Sequence, residues 1–405
     1  MKKGSRGYRR LTLAMLFAGF STFSLLYSVQ PLLPLFAHEF RLSAEQSSLA
    51  ISLATGPLAV AIVFAGLLSD RYGRRPLMVL AMFGAGLLTM LTGFAPGWHE
   101  VLALRLLTGI ALAGMPAVAM AYVSEEIDPH SVGPAMGLYI AGSGVGGMAG
   151  RLGVSLLTEL ADWRWALVGV GLIGLVMAEA FRRLAPPSRR FIPRPVHPAA
   201  VFVSGKMLFR DRAMPLLYAE AFLLMGVFVT IYNYVGFRLI AAPFSLSHAA
   251  IGAIFLLYLL GSLSSTWFGG LAERKGRRLV FWIPTALLIL GTAFTAAAWL
   301  PLVIVGIGVV TIGFFGAHSI ASSWVGRRAR EGRGQAAAFY LFFYYLGSSV
   351  LGSAGGIAWT RWAWNGVALY CGVLTLIALA IAARLATIPP LPLPEVTPPR
   401  PMGAD

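Results

Sequence analysis

Apolar residues along this chain gather into long runs, and the charged ones collect in the short gaps between them. Twelve runs stand out, near 11-35, 47-69, 76-96, 100-122, 134-157, 165-184, 213-238, 249-271, 279-298, 301-323, 335-358 and 364-385. The hydrocarbon core of a bilayer is about 30 Å thick, so a helix needs roughly 20 mostly apolar residues to cross it. Each run meets that length, and the pattern predicts an all-α membrane protein with twelve transmembrane helices. Trp299 and Pro301 divide the ninth run from the tenth, because proline cannot continue the hydrogen-bond ladder of a helix before it. The first run, from Leu11 to Ala37, follows a basic start as a secretory signal would, but it far exceeds a signal core of about 7 to 15 residues. It reads as an uncleaved first helix.

Composition agrees. Of 405 residues, 58% are apolar and only 12% charged, a balance outside the range of water-soluble domains. The net charge of +16 would suit a nucleic-acid binder if it lay on one soluble face. It lies instead in alternate gaps. With the amino terminus in the cytoplasm, 26 of the 32 Lys and Arg residues fall on the cytoplasmic side, and only Arg41, Arg164, Arg238 and Arg361 fall in outer loops. That asymmetry is the positive-inside rule; it predicts both termini inside and no nucleic-acid partner. The ten Trp residues cluster near the predicted helix ends, where an amphipathic ring prefers the headgroup layer. Cys371 is the single cysteine, so neither a disulfide framework nor a cysteine metal site is expected.

The chain repeats itself. Asp70-Arg71-Tyr72-Gly73-Arg74-Arg75 returns 203 residues later as Glu273-Arg274-Lys275-Gly276-Arg277-Arg278, in each case after the second run of a half. Tyr139 to Ser143 is echoed by Tyr344 to Ser348, and Trp163-Arg164-Trp165 by Trp362-Ala363-Trp364. Duplicated halves are a common architecture of secondary transporters. The expected organisation is a six-helix bundle over 1-184, a basic proline-rich linker over 185-212, a second bundle over 213-387 and a disordered proline-rich tail over 388-405. Val201 to Phe209 has the look of a short helix on the inner leaflet.

The segment Gly66 to Pro76 (GLLSDRYGRRP) resembles the loop motif of the major facilitator superfamily, and Gly269 to Arg278 resembles a degenerate copy. In that family the motif is a conformational latch, which implies gating roles for Gly66, Asp70, Arg71, Gly73, Arg74, Arg75, Glu273, Arg274, Gly276 and Arg277. Physically, a carboxylate at a helix end beside a basic loop forms charge-assisted bonds; topology alone would also account for the basic residues. Arg105 to Gly109 resembles the family's R-x-x-x-G motif, which the family links to proton coupling; an interhelix bond is the structural alternative for Arg105. Gly142 to Arg151 resembles the antiporter motif of drug exporters, with Gly147 in place of its proline and Arg151 in place of its last glycine. Close helix packing would account equally for Gly109, Gly142, Gly146, Gly147 and Gly150. Arg151 itself is either a substrate or gate contact or the partner of Glu159 or Asp162.

Gln30 precedes Asp70 by 40 residues, and Asn233 precedes Glu273 by the same interval, so the repeat places the two amides pseudo-symmetrically. They are expected in a substrate cavity with Tyr27, Tyr232, Arg151 and His318, or in ordinary interhelical hydrogen bonds. Glu220 is the one acid clearly inside a predicted span and the leading proton carrier; the alternative is a carboxylate reaching Arg210 or Arg212. Glu179 precedes Arg182 and Arg183 at helical spacing and should pair with them.

Motifs and repeat together identify the chain as a member of the major facilitator superfamily, similar to bacterial twelve-helix drug and sugar efflux permeases. The resemblance implies two pseudo-symmetric six-helix bundles and a secondary active transporter, working by proton-coupled efflux (antiport) of small organic compounds through alternating access. It implies a monomer in the bacterial inner membrane, with a small-molecule substrate, protons and the lipid bilayer as partners, no cofactor and no enzymatic reaction. A proton symporter importing a small organic anion is the rival within transport. A membrane-embedded receptor or enzyme is more distant, since the chain has no H-E-x-x-H pattern and no paired intramembrane Asp.

Overall fold

The computed structural model describes residues 1–188, 191, 199–329 and 332–389, and for residues 129 and 199–202 the backbone only. Residues 189, 190 and 192–198 of the expected proline-rich linker and nearly all of the expected tail, with Arg189, Arg190, Arg194, Arg330 and Arg400, lie outside these residues.

The first helix, Arg6–Tyr27, starts on a Ser5 cap, breaks into a 3₁₀ turn at Gln30–Leu32 and resumes as Leu33–Glu39. Pro31 and Pro34 account for the break, because each removes a backbone donor and crowds the preceding turn. The second, Ala44–Tyr72, opens on a reciprocal Ser43 and Gln46 cap. The third is Arg74–Thr92, and the fourth runs as Trp98–Leu112 and Pro116–Glu126. The fifth is Val132–Leu160 and the sixth Trp163–Leu184. A short helix, Ala199–Phe209, then precedes the second half.

There the seventh helix is Met214–Ile240, and the eighth runs from His248–Ile254 through a 3₁₀ turn into Tyr258–Lys275. The ninth comprises Arg277–Val280 and Trp282–Thr295, and the tenth is Leu300–Arg328. Arg333–Thr387 is one 55-residue run, but Trp362 and Ala363 have non-helical dihedrals, so it comprises the eleventh and twelfth helices joined at a sharp reversal. That reversal falls on the Trp-x-Trp copy whose first member, Trp163, opens the sixth helix.

Ten stretches of the described residues are long and apolar enough to cross a membrane, the double run Arg333–Thr387 counting as one of them. The fifth helix is not among the ten, because its many glycines dilute its hydropathy. With it, and with the double run divided, the expected twelve passes are all present.

The two halves repeat in three dimensions. Gly73 and Gly276 join the second helix of each half to the third with φ of 97° and 93°, a region open to glycine and costly for other residues. In the first half, Gly142, Gly146 and Gly150 press the fifth helix onto backbone of the first, at Leu16, Phe20 and Ser24. In the second half, Gly347 presses the eleventh helix onto the backbone of Phe222 in the seventh. Glycine allows this because without a Cβ two helix backbones approach closely. Gly147 faces a side chain instead, Arg151.

Candidate functional site

The polar side chains that matter fall in three groups: one at the end bearing the Gly73 and Gly276 loops (the motif end), one where the halves meet toward the opposite end, and one inside the second half.

At the motif end, Arg74 bridges Asp70 at 2.5 Å and Glu125 at 2.8 Å and also donates to Ser69 Oγ. The cluster ties the second, third and fourth helices together, all within the first half. Glu125 is not legible in the sequence; its only signal is an acid at the end of the fourth helix. Arg75 donates to the carbonyl of Arg182, while Arg71 lies over the Tyr72 ring. The degenerate copy is looser: Glu273 meets Arg327 at 3.3 Å and Arg277 at 3.9 Å, and is itself well exposed. A Cβ at Gly66 would meet nothing within 4 Å. Glu179 pairs with Arg182 at 2.6 Å and Arg183 at 2.5 Å, as the helical spacing requires.

Toward the opposite end the halves are bonded together. Ser48 and Ser52 of the second helix bond Ser349 and Ser353 of the eleventh, and the Ala249 N–H donates to Glu159. Deeper in, Arg151 Nε donates to Gln30 Oε1 at 2.6 Å, and Gln30 Nε2 donates to Asn233 Oδ1 at 2.7 Å. The two amides placed opposite one another by the repeat are therefore in direct contact. Every hydrogen bond between the halves among the described residues belongs to this end.

Arg151 is buried, with 3% of its surface exposed. Its guanidinium lies 4.5 Å from the Tyr27 ring centre, 4.8 Å from Tyr258 and 5.3 Å from Phe255, and also donates to the Gly147 carbonyl. Neither Glu159 nor Asp162 pairs with it: Glu159 accepts from Ala249, and Asp162 caps the sixth helix through the Arg164 N–H. Phe255 and Tyr258 carried no sequence signal, because aromatic residues in an apolar helix are ordinary core.

Arg105 is completely buried and donates to the backbone carbonyls of Leu25, Leu26 and Ala50. Those carbonyls belong to the first and second helices, so its donors brace three helices and meet no acid. Gly109, one turn along, lies against the backbone of Ala54 on the second helix.

Inside the second half, Glu220 is fully buried and neither of its oxygens has a hydrogen-bond partner. It reaches neither Arg210 nor Arg212. Tyr340 lies within electrostatic range of it, and Tyr340 Oη lies 2.9 Å from His318 Nδ1. Glu220 and His318, separate candidates in the sequence, thus belong to one cluster with Tyr340. Tyr232 bonds Thr311 at 2.8 Å and stacks near Phe255. A cavity of about 530 Å³ near Arg212 and Arg384, at the motif end, contains none of these side chains.

Comparison with known proteins fits this arrangement. The pattern of the Major Facilitator Superfamily matches residues 15–240. The chain is 43% identical over 385 residues to the Escherichia coli inner membrane transport protein YnfM, covering 95% of this chain and 92% of that one. It is 41% identical over 386 residues to the Bacillus subtilis MFS-type transporter YybF, covering 95% and 96%. Among solved structures, a bacterial homologue of the human lysosomal transporter Spinster superposes with a TM-score of 0.75 at 17% identity, covering 95% of this chain and 98% of that one. Two glycine-hinged six-helix bundles that meet through buried polar side chains, in a sequence so close to known transport proteins, make this chain a transporter of the major facilitator superfamily.

Proposed function

We propose that the protein exports small organic compounds by proton antiport, with Glu220 as the proton carrier. The observation that carries this reading is the burial of Glu220 with both oxygens unpartnered. An unpaired carboxylate charge inside the membrane costs several kcal/mol, whereas the neutral acid is tolerated. A group that must hold a proton while enclosed, and can lose it when water reaches it, biases the bundles toward one orientation in each charge state. Tyr340 and His318 are the neighbours through which that proton would pass.

In this reading the motif end faces the cytoplasm, both termini lie inside, and the protein works as a monomer in the bacterial inner membrane without a nucleic-acid partner. The bundles are residues 1–184 and 213–387, joined by the linker over 185–212 and followed by the tail over 388–405. Since the bonds between halves among the described residues lie at the opposite end, the closed end is the outer one and the motif end is the one that opens. Tyr27, Gln30, Arg151, Tyr232, Asn233 and His318 line the substrate path. The loops around Asp70 and Glu273 rearrange when the motif end closes, and Arg105 contributes to coupling by fixing the kinked first helix.

The test is flux in proteoliposomes under an imposed pH gradient, wild type beside Glu220→Gln. Gradient-driven export should vanish in Glu220→Gln while gradient-independent exchange of substrate persists; full gradient-driven flux in the variant would refute the assignment. The lone Arg151 also suits the second reading, symport that imports a small organic anion, and the direction of flux under the same gradient separates the two.

A further inference from the structure

The polarity of the bridge between the halves follows from one residue. A guanidinium has five N–H donors and no acceptor. Arg151 therefore forces Gln30 to present its amide oxygen, and the Gln30 nitrogen is left to donate across the interface. Asn233 must answer with its own oxygen. Its Nδ2 is then a leftover donor, buried without an acceptor and directed toward Gly352. One turn before Gly352, Ser348 Oγ faces Tyr27 Oη, and neither buried hydroxyl has a partner beyond the other. The Tyr27 ring lies under the Arg151 guanidinium.

One unmatched buried amide donor, two hydroxyls that face each other and one buried cation thus converge, while the amide acceptors of Gln30 and Asn233 are already taken. No carboxylate forms an ion pair with Arg151 among the described residues. A buried charge without a counter-charge is costly, and buried donors left unmade add to the cost. What the site lacks is an acceptor-only group with a negative charge. A second cation would be repelled by Arg151, which already lies over the Tyr27, Phe255 and Tyr258 rings, and a neutral amide would leave Arg151 uncompensated.

We propose that the transported compound carries a carboxylate or similar oxyanion, which binds Arg151 and Asn233 Nδ2, with its apolar body against Tyr27, Phe255 and Tyr258. This rests on the transport reading above and names the substrate class of that site. Because Gln30 holds the Nε of the same guanidinium, the anion competes for the atoms that join the two halves. Its arrival weakens the closed end.

The experiment is thermal unfolding of the purified full chain in detergent with benzoate, succinate and gluconate, each beside its amide. At least one acid should raise the unfolding temperature of the wild type and its amide should not. Arg151→Gln should abolish that shift. Asn233→Asp keeps an oxygen for Gln30 but replaces the leftover donor by an acceptor, and should weaken acid binding about tenfold or more; unfolding of each variant without ligand reports whether it is folded. The proposal is overturned if no acid shifts the wild type, if acid and amide act alike, or if folded Asn233→Asp binds the acid as tightly as wild type. Binding in detergent needs no gradient. Amides acting as well as acids would sink the anionic class and leave proton coupling standing, whereas full gradient-driven flux by Glu220→Gln would sink proton coupling and leave acid binding intact.

Discussion

Gly252 in the eighth helix offers a way to open the closed end without harming either bundle. A Cβ added there would lie 2.5 Å from Ser155 Cβ, 2.9 Å from Ser155 Oγ and 3.5 Å from Leu152 Cδ1, all on the fifth helix of the other half. Apart from its adjacent residues and its own helix backbone, no atom of its own half comes nearer than these. Ordinary Cβ contacts are 3.4 Å or longer, so the closed state of Gly252→Ala is overlapped by about 1 Å, and overpacking of this kind costs about 1–3 kcal/mol. Within the second half the same change is favourable, since Ala is a better helix former than Gly by about 1 kcal/mol. The penalty is therefore confined to the state in which the halves touch, and it should shift the equilibrium toward opening there by roughly 5- to 150-fold. The assay is the reaction rate of a thiol at Ser353→Cys, in a chain also carrying Cys371→Ser, with a membrane-impermeant maleimide. Position 353 is half-buried in the serine contact between halves, so its thiol reacts faster when that contact parts. Gly252→Ala should raise the rate until the open state dominates. Adding Ser155→Gly, which removes the opposing Cβ, should restore the slow rate. An unchanged rate in Gly252→Ala, or a raised rate that Ser155→Gly leaves in place, would refute the reasoning.

Two further outcomes follow from the geometry. Gly276→Ala should cost about 1–2 kcal/mol in thermal unfolding through its φ of 93° alone, since its Cβ would meet nothing within 4 Å; Gly73→Ala should cost at least as much, with Pro76 Cδ at 3.4 Å. Arg105→Lys should lower the unfolding temperature although charge is kept, because one ammonium on a flexible stem cannot reproduce the planar fork that serves the carbonyls of Leu25, Leu26 and Ala50 together. An unfolding temperature equal to wild type would show that the brace is dispensable.

The passes through the membrane could be read from the sequence because each depends only on its own run of about 20 apolar residues and on the breaks beside it. Trp299 and Pro301 marked the start of the tenth helix, and in the structure Trp299 caps it with Pro301 in its first turn. The duplicated loop was equally legible: the left-handed glycine between the second and third helices of each half is a local backbone requirement that leaves a fixed motif. Glu179 found Arg182 and Arg183 for the same reason, one helical turn away. The candidate site is different in kind. The repeat aligned Gln30 with Asn233 but did not say that they touch, and nothing in the chain announced Glu125 beside Arg74 or Phe255 and Tyr258 around Arg151. Those pairings join residues 51 to more than 200 positions apart, and they exist only once two bundles have packed and chosen which end to close. Helix formation in lipid is settled by local composition, whereas partner choice among buried polar groups is settled by which helices face one another.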